Sequence, residues 1–162
     1  MSKKIQIELH IMSIKQFKDI FSKYRSVYAI LCSSFDFDEQ RYNGNNILKL
    51  RFQDVIQKNR VDCFKKDHTE KIKKFIKQNN ISELYICCDS GESRSVAIAA
   101  AIMKYYGLND KIIWKNPHYH TNVFVFKVLC RNLGVFVAFF ATLPSFIGVR
   151  IKTLKQTEVF LL

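Results

Sequence analysis

The stretch Leu84–Gly107, LYICCDSGESRSVAIAAAIMKYYG, combines three local patterns that together decide the fold. Its first residues, Leu84–Cys87, form an apolar run with the length of a buried strand. The polar segment CDSGESRS follows at once. The next residues, VAIAAAIMKYY, are apolar on nearly every face, which predicts a central buried helix that ends at Gly107. A buried strand that passes through a short loop into a buried helix is typical of an α/β domain.

Apolar periodicity on both sides of this stretch predicts further strands and helices. Strands are expected over Ile5–Ile11, Val27–Cys32 and Ile47–Phe52, and helices from Ser13 to about Tyr24, over 67–78 and over 121–133. The first strand alternates apolar and polar residues, so it is expected to be half-buried. The predicted architecture is a mostly parallel central sheet flanked by helices, in one domain over residues 1–134.

Residues 135–162 form an apolar extension that Pro144 interrupts. Its apolar run is shorter than the roughly 20 residues that a membrane span needs, so no transmembrane span is expected. We expect the extension to pack on the domain or on a second subunit, which makes a homodimer one of the open assemblies. Contact with a membrane surface is the alternative.

The chain is strongly basic, with 26 Lys and Arg against 14 Asp and Glu and a formal net charge of +12. This charge favours an anionic partner: a phosphate ester, a nucleic acid or a membrane surface. The five cysteines lack the spacing of a disulfide framework or a zinc site, and the first residues lack a signal-peptide pattern. A reducing, cytoplasmic location is therefore expected, with no metal and no cofactor.

The segment between Cys88 and Arg94 has the properties of an anion-binding loop. A loop at a helix N-terminus directs several backbone N–H groups, and the positive end of the helix dipole, into one concavity. The planar guanidinium of Arg94 can hold two phosphoryl oxygens at once. The same field lowers the pKa of a thiol at the position of Cys88, which favours a thiolate nucleophile.

CDSGESRS resembles the CxxGxxR signature, followed by Ser or Thr, of the cysteine-based protein tyrosine phosphatase superfamily. The resemblance is to the compact dual-specificity-like branch and covers residues 27–134, because ILKLRFQDV is similar to its strand and acid loop and NPHYHTNVFVFKVL to its closing helix. One residue departs from the pattern: Cys87 stands where the family usually has a histidine that orders the loop.

The resemblance implies roles for the loop residues. Cys88 is the implied nucleophile, which attacks phosphorus to give a cysteinyl phosphate. Ser95 matches the hydroxyl that hydrogen-bonds the cysteine sulfur, and helix capping is its alternative role. The implied phosphate-binding residues are Asp89, Ser90, Gly91, Glu92, Ser93 and Arg94.

The family mechanism also needs an aspartic acid that protonates the leaving oxygen and later activates water. Asp54 directly follows a predicted strand, where the acid loop of the family would fall. Asp62 and Asp67 are second choices, while Asp36 and Asp38 lie far upstream.

The resemblance implies a tyrosine or dual-specificity phosphatase that acts on a phosphorylated protein or a small phosphate ester. A phosphate-binding module without turnover is the main alternative, because of Cys87 and the open choice of acid. RNA 5′-triphosphate removal is a variant that the basic charge permits, although nucleic acid is not the favoured partner. Arsenate reduction and sulfur transfer also use a cysteine in an anion loop, but the position and length of this loop count against them.

Overall fold

In the computed structural model, residues 7–24, 26–38, 40–58 and 60–135 are described, together with two short strands near the C-terminus. Four parallel strands form the central sheet: β1 (Glu8–Ser13), β2 (Tyr28–Ser33), β3 (Ile47–Arg51) and β4 (Glu83–Cys88), in the order β1-β4-β2-β3. The helices are α1 (Ile14–Lys23), α2 (Lys66–Gln78), α3 (Arg94–Tyr105), α4 (Lys111–Trp114) and α5 (Val123–Leu133). Two further strands, β5 (Thr153–Leu154) and β6 (Glu158–Val159), pair with each other in antiparallel fashion.

The sheet separates two apolar cores, because side chains along a strand alternate between its faces. On β4, Ile86 and Cys88 belong to the larger core, which also includes residues of α2, α3 and α5. Tyr85 and Cys87 belong to the smaller core, which includes Phe17 and Phe21 of α1. The predicted α/β architecture, a mostly parallel sheet flanked by helices, is confirmed.

The first strand differs from the prediction, which expected it to be half-buried. Leu9 and Ile11 enter the larger core, but His10 and Met12 on the opposite face are buried as well. The His10 ring stacks on Tyr85 with centroids 4.4 Å apart, and its Nε2 lies 3.0 Å from Glu83 Oε1. His10, the polar residue in the alternating strand, therefore lies on a face of the strand that is covered by protein and not by water.

The central helix α3 ends as predicted at a left-handed glycine. Gly107 has φ of 71°, and its N–H donates to Lys104 O at 3.1 Å. The next N–H, of Leu108, donates to Met103 O at 2.8 Å. These two bonds satisfy carbonyls at the end of the helix, in a geometry that glycine adopts without a steric cost.

The larger core extends to Leu133, and Val135 packs against it. Most of the predicted extension 135–162 lies outside the described residues, so its packing and the boundary after residue 134 stay predictions. Among the helices that are described, none combines the length and apolar character needed to cross a membrane.

Because the four strands of the sheet are parallel, their C-terminal ends meet at one edge, here called the carboxyl edge. β2 ends there at Ser33, β3 at Arg51 and β4 at Cys88. Loops that follow these ends are brought together although they are far apart in sequence. In open α/β sheets this edge is the usual position of a ligand site.

Candidate functional site

The loop from Cys88 to Arg94 leaves the carboxyl edge at the end of β4 and enters α3. The N–H of Gly91 donates to Cys88 Sγ at 3.2 Å, and Ser95 Oγ lies 3.1 Å from the same sulfur. The N–H of His120 donates to Glu92 O at 2.9 Å, which fixes the outer part of the loop to the segment before α5. The loop therefore curves around the cysteine sulfur.

Both the backbone conformation at position 91 and the atoms around it require a glycine there. Its φ of 82° lies in the left-handed region, which side chains of other residues disfavour. A Cβ at this position would lie 2.6 Å from Ser13 N and 2.7 Å from Met12 C. The loop thus packs directly on the backbone at the end of β1.

The Cys88 thiol has a lowered pKa although it is buried. Burial by itself would raise this pKa, but hydrogen bonds from the Ser95 hydroxyl and from the backbone N–H groups of Ser95, Ser93 and Gly91 outweigh it. The two neighbouring thiols show the contrast. Burial raises the pKa of Cys87 and of Cys32 well above the usual thiol value. Of these three thiols, Cys88 is thus the one whose surroundings favour the thiolate.

Arg94 is buried and is held at the ends of two strands. Its Nη1 donates to Phe52 O at 2.7 Å and to Ser34 Oγ at 3.0 Å. Its Nη2 donates to Asp89 Oδ2 at 2.5 Å. In the described part of the chain, Nε has no hydrogen-bond partner and lies 4.0 Å from Asp54 Oδ2. The described bonds thus fix the guanidinium in place and leave its Nε–H and one N–H of Nη2 without a described partner.

Asp89 places a carboxylate inside the loop. Besides Arg94 Nη2, its Oδ2 accepts from the N–H of Ser34 at 3.3 Å. Partial burial acts to raise its pKa, but the hydrogen bonds from Arg94, the Ser33 hydroxyl and the Ser34 N–H hold this pKa below its usual value. Asp89 is therefore ionised at neutral pH and neutralises part of the charge of Arg94.

Asp54 lies beside the loop, in the connection after β3. Its Oδ1 accepts from Asn122 Nδ2 at 2.6 Å and from Ser93 Oγ at 2.9 Å. Asn122 Nδ2 also donates to Val55 O at 3.3 Å, and Asn122 Oδ1 accepts from Val125 N–H at 3.0 Å to cap α5. One carboxylate oxygen of Asp54 is therefore tethered, while Oδ2 is on the side of Arg94.

The other four candidate aspartates contact different parts of the chain. Asp36 pairs with Arg51, and Asp62 pairs with Arg60 through two hydrogen bonds. Asp38 accepts from the N–H groups of the two residues that begin a turn, Gln40 and Arg41. Asp67 lies in the first turn of α2 and is exposed. Of the five, Asp54 is the one with a described hydrogen bond to the Cys88 loop.

Comparison with known proteins gives matches among solved structures. The Cydia pomonella PTP-2 phosphatase matches with a TM-score of 0.56 and 11% identity, over 97% of this chain and 95% of that chain. The structure of PTPMT1 matches with a TM-score of 0.50 and 14% identity, over 81% of this chain and 92% of that chain. This chain has the fold of these phosphatases. No protein-family model and no curated protein matches the sequence.

Within this phosphatase fold, sequence reasoning missed two side chains of the site. Ser34 contacts both Arg94 and Asp89, and Asn122 contacts Asp54. The position of Ser34, directly after β2, was the available signal, because the ends of parallel strands share one edge. Asn122 lies just before α5, and its bonds to Asp54 and Val55 O fix the Asp54 segment to the start of that helix.

The remaining predicted residues take less central positions. Glu92 and Ser90 are exposed, and Ser90 Oγ accepts from the N–H of Glu92 at 3.3 Å. Cys87 is a buried strand residue that faces the core opposite Cys88. Among the described residues, no three His, Cys, Asp or Glu side chains form a group that could hold a metal ion.

Proposed function

We propose that the chain is a cysteine-dependent phosphatase of the dual-specificity-like kind. Its substrates are phosphate monoesters, on a phosphorylated protein or a small molecule. The observation that supports this most is the convergence of three groups at the carboxyl edge: the Cys88 thiol with its lowered pKa, the buried Nε of Arg94 that has no described partner, and Asp54 bonded to Ser93. The five described cysteines are all free and buried, which suits a reducing, cytoplasmic location.

In the first step, the Cys88 thiolate attacks phosphorus and forms an S–P bond as the ester P–O bond breaks. Asp54, protonated, donates its proton to the leaving oxygen. The loop N–H groups and Arg94 Nε hold the phosphoryl oxygens, whose charge they stabilise in the transition state. The product alcohol leaves, and phosphate remains on sulfur.

In the second step, the Asp54 carboxylate accepts a proton from water while the water oxygen attacks phosphorus. The S–P bond breaks, and its electron pair returns to Cys88 as thiolate. Ser95 Oγ, 3.1 Å from Sγ, stabilises the departing sulfur by a hydrogen bond. Phosphate and the starting enzyme result.

Hydrolysis of p-nitrophenyl phosphate, measured against pH and with vanadate as inhibitor, tests the proposal. We expect vanadate-sensitive turnover with a bell-shaped pH profile, because one group must be ionised and another protonated. Phosphate binding without turnover at any pH would instead identify a phosphate-binding module. A phosphoserine peptide, a phosphotyrosine peptide and an RNA 5′-triphosphate, assayed in parallel, separate the substrate classes.

Asp54→Asn is expected to lower kcat on a phosphoserine peptide by about a hundredfold to a thousandfold, because the alkoxide leaving group needs a proton. The loss on p-nitrophenyl phosphate should be smaller, since p-nitrophenolate leaves unprotonated. Asp62→Asn, in the same connection but paired with Arg60, is the matched control and should behave as native. A native kcat in Asp54→Asn together with a lowered kcat in Asp62→Asn would instead identify Asp62 as the acid.

Ser95→Ala is expected to move the acidic limb of the pH profile of kcat/KM to higher pH. The hydroxyl stabilises the thiolate, so its removal raises the pKa of Cys88, and a higher pH is then needed to form the nucleophile. Ser90→Ala, which removes an exposed hydroxyl that has no described bond to the sulfur, should leave this limb in place. An unchanged limb in Ser95→Ala would show that the hydroxyl does not set the ionisation of the thiol.

A further inference from the structure

Exposed apolar side chains are concentrated at the carboxyl edge. Six large apolar side chains are exposed in the described part of the chain: Tyr24, Phe35, Ile56, Val61, Trp114 and Val123. Phe35 is 73% exposed and follows β2 by two residues. Ile56 and Val61, 73% and 86% exposed, lie in the connection after β3. Both segments start at the carboxyl edge, where the Cys88 loop also starts.

Hydrogen bonds join the segments of these side chains to the candidate site. Asn122 Nδ2 donates to Val55 O, which joins two segments of the chain. Ile56 directly follows Val55, and Val123, which is 42% exposed, directly follows Asn122. The N–H of Gln53 donates to Asp62 O at 2.8 Å, which brings the Val61 segment next to that of Asp54. Phe35 follows Ser34, which contacts Arg94. The four side chains therefore lie on segments that are hydrogen-bonded to the candidate site or to one another.

Cations accompany these apolar groups. Lys58 lies two residues after Ile56, and Lys65 and Lys66 lie at the start of α2, where the chain turns back from the carboxyl edge. All three lysines are exposed, and none forms an ion pair with another described residue. Arg60 is paired with Asp62, so those two charges cancel. The connection after β3 and the start of α2 therefore combine exposed apolar side chains with three exposed lysines, beside the carboxylates of Asp54, Asp62 and Asp67.

We propose that this face binds the surface of an anionic phospholipid bilayer. The name docking face is used here for Phe35, Ile56, Val61 and Val123 together with Lys58, Lys65 and Lys66. Apolar side chains at a lipid interface insert between headgroups, and lysines beside them attract lipid phosphates. Their distribution over three separate segments suits insertion into a fluid surface better than contact with a flat protein patch.

Single-stranded nucleic acid is another anionic partner that the lysines would attract, but the side chains of the docking face do not suit it. Such sites stack successive bases on aromatic rings. Phe35 is the one aromatic member of the docking face, and the other three apolar members are aliphatic. Docking on a bilayer would present the Cys88 loop to phosphate groups at headgroup level. That consequence rests on the proposed function, whereas the binding itself does not.

The test is co-sedimentation of the full chain with vesicles of phosphatidylcholine, with and without phosphatidylserine. We expect binding that needs phosphatidylserine and weakens with salt. Ile56→Ser combined with Val61→Ser should lower the partition coefficient by about tenfold or more, because each buried methylene contributes to partitioning. Lys58→Gln combined with Lys66→Gln should lower binding to the anionic vesicles and reduce its salt dependence.

Matched controls lie at the opposite edge of the sheet. Tyr24→Ser removes an exposed apolar group at the end of α1, and Lys74→Gln with Lys77→Gln removes two lysines from the later turns of α2. These variants should bind vesicles as the native chain does. All variants should hydrolyse p-nitrophenyl phosphate at the native rate, so loss of vesicle binding is separated from loss of the proposed activity.

Three outcomes would overturn the proposal. In the first outcome, the chain does not bind anionic vesicles. In the second, it binds them equally well after the substitutions in the docking face, which places the contact elsewhere in the chain. In the third outcome, the docking-face variants lose affinity for single-stranded RNA while their vesicle binding is unchanged, which assigns the face to nucleic acid.

Discussion

Cys88→Ser is expected to lower the hydrolysis of p-nitrophenyl phosphate by at least about a thousandfold while the chain stays folded. A serine hydroxyl ionises far less readily than a thiol, so the hydrogen bonds from Gly91 and Ser95 that lower the thiol pKa would not produce an alkoxide. The same donors and Arg94 remain in place. Binding of a phosphate ester, measured by calorimetry, should therefore persist when turnover is lost.

The matched control is Cys63→Ser. Cys63 is a buried cysteine whose Sγ donates to Lys58 O at 3.6 Å, and a serine hydroxyl can make the same bond. This variant should keep close to native turnover. Turnover in Cys88→Ser at a rate near that of the native chain would require a different nucleophile and would refute the proposed mechanism.

Arg94→Ala is expected to lower the free energy of unfolding by about 3 kcal/mol and to abolish phosphate binding. The guanidinium satisfies Phe52 O, Ser34 Oγ and Asp89 Oδ2, and its removal leaves a carbonyl and a carboxylate without their partner. Asp89 is about a third exposed, so water will replace part of that loss. Urea denaturation measures the change in stability.

Arg94→Lys separates the structural role from the proposed role in phosphate binding. A lysine ammonium can replace one or two of the three described contacts, so part of the stability should return. It has no second planar edge for phosphoryl oxygens, so kcat/KM should stay lowered by about a hundredfold or more. Arg51→Lys is the control, because Arg51 forms an exposed pair with Asp36 that contributes little. Native kcat/KM in Arg94→Lys would contradict the role given to Arg94.

The order of elements could be predicted because each one is encoded locally. β4, the loop and α3 follow one another in a single run, so Cys88, Arg94 and Ser95 could be placed from spacing and polarity. The four-residue α4 was not predicted, because it is too short to show a helical period. The burial of His10 was also missed, because a polar residue in an alternating strand looks the same whether water or protein covers it.

Long-range contacts explain most of what the sequence did not show about the site. Ser34 lies 60 residues before Arg94, and Asp54 lies 68 residues before Asn122. Each contact depends on which strands are neighbours in the sheet. The strand order β1-β4-β2-β3 cannot be predicted from any single segment of the sequence. Asp54 was preferred from its place after a strand and from the family resemblance. Its bond to Ser93 places it beside the loop, while its role as the acid stays a proposal.

The tether between Asn122 and Asp54 has a kinetic consequence. Asn122 caps α5 and bonds both the Asp54 carboxylate and Val55 O, so the segment with the proposed acid is fixed to a helix of the main core. In many enzymes a lid must close over the substrate before chemistry begins, and that closure or the later opening limits turnover. Here the bonds of Asn122 hold the segment of the proposed acid beside the anion loop. We therefore expect the chemical steps, and not the motion of a lid, to limit the rate of turnover.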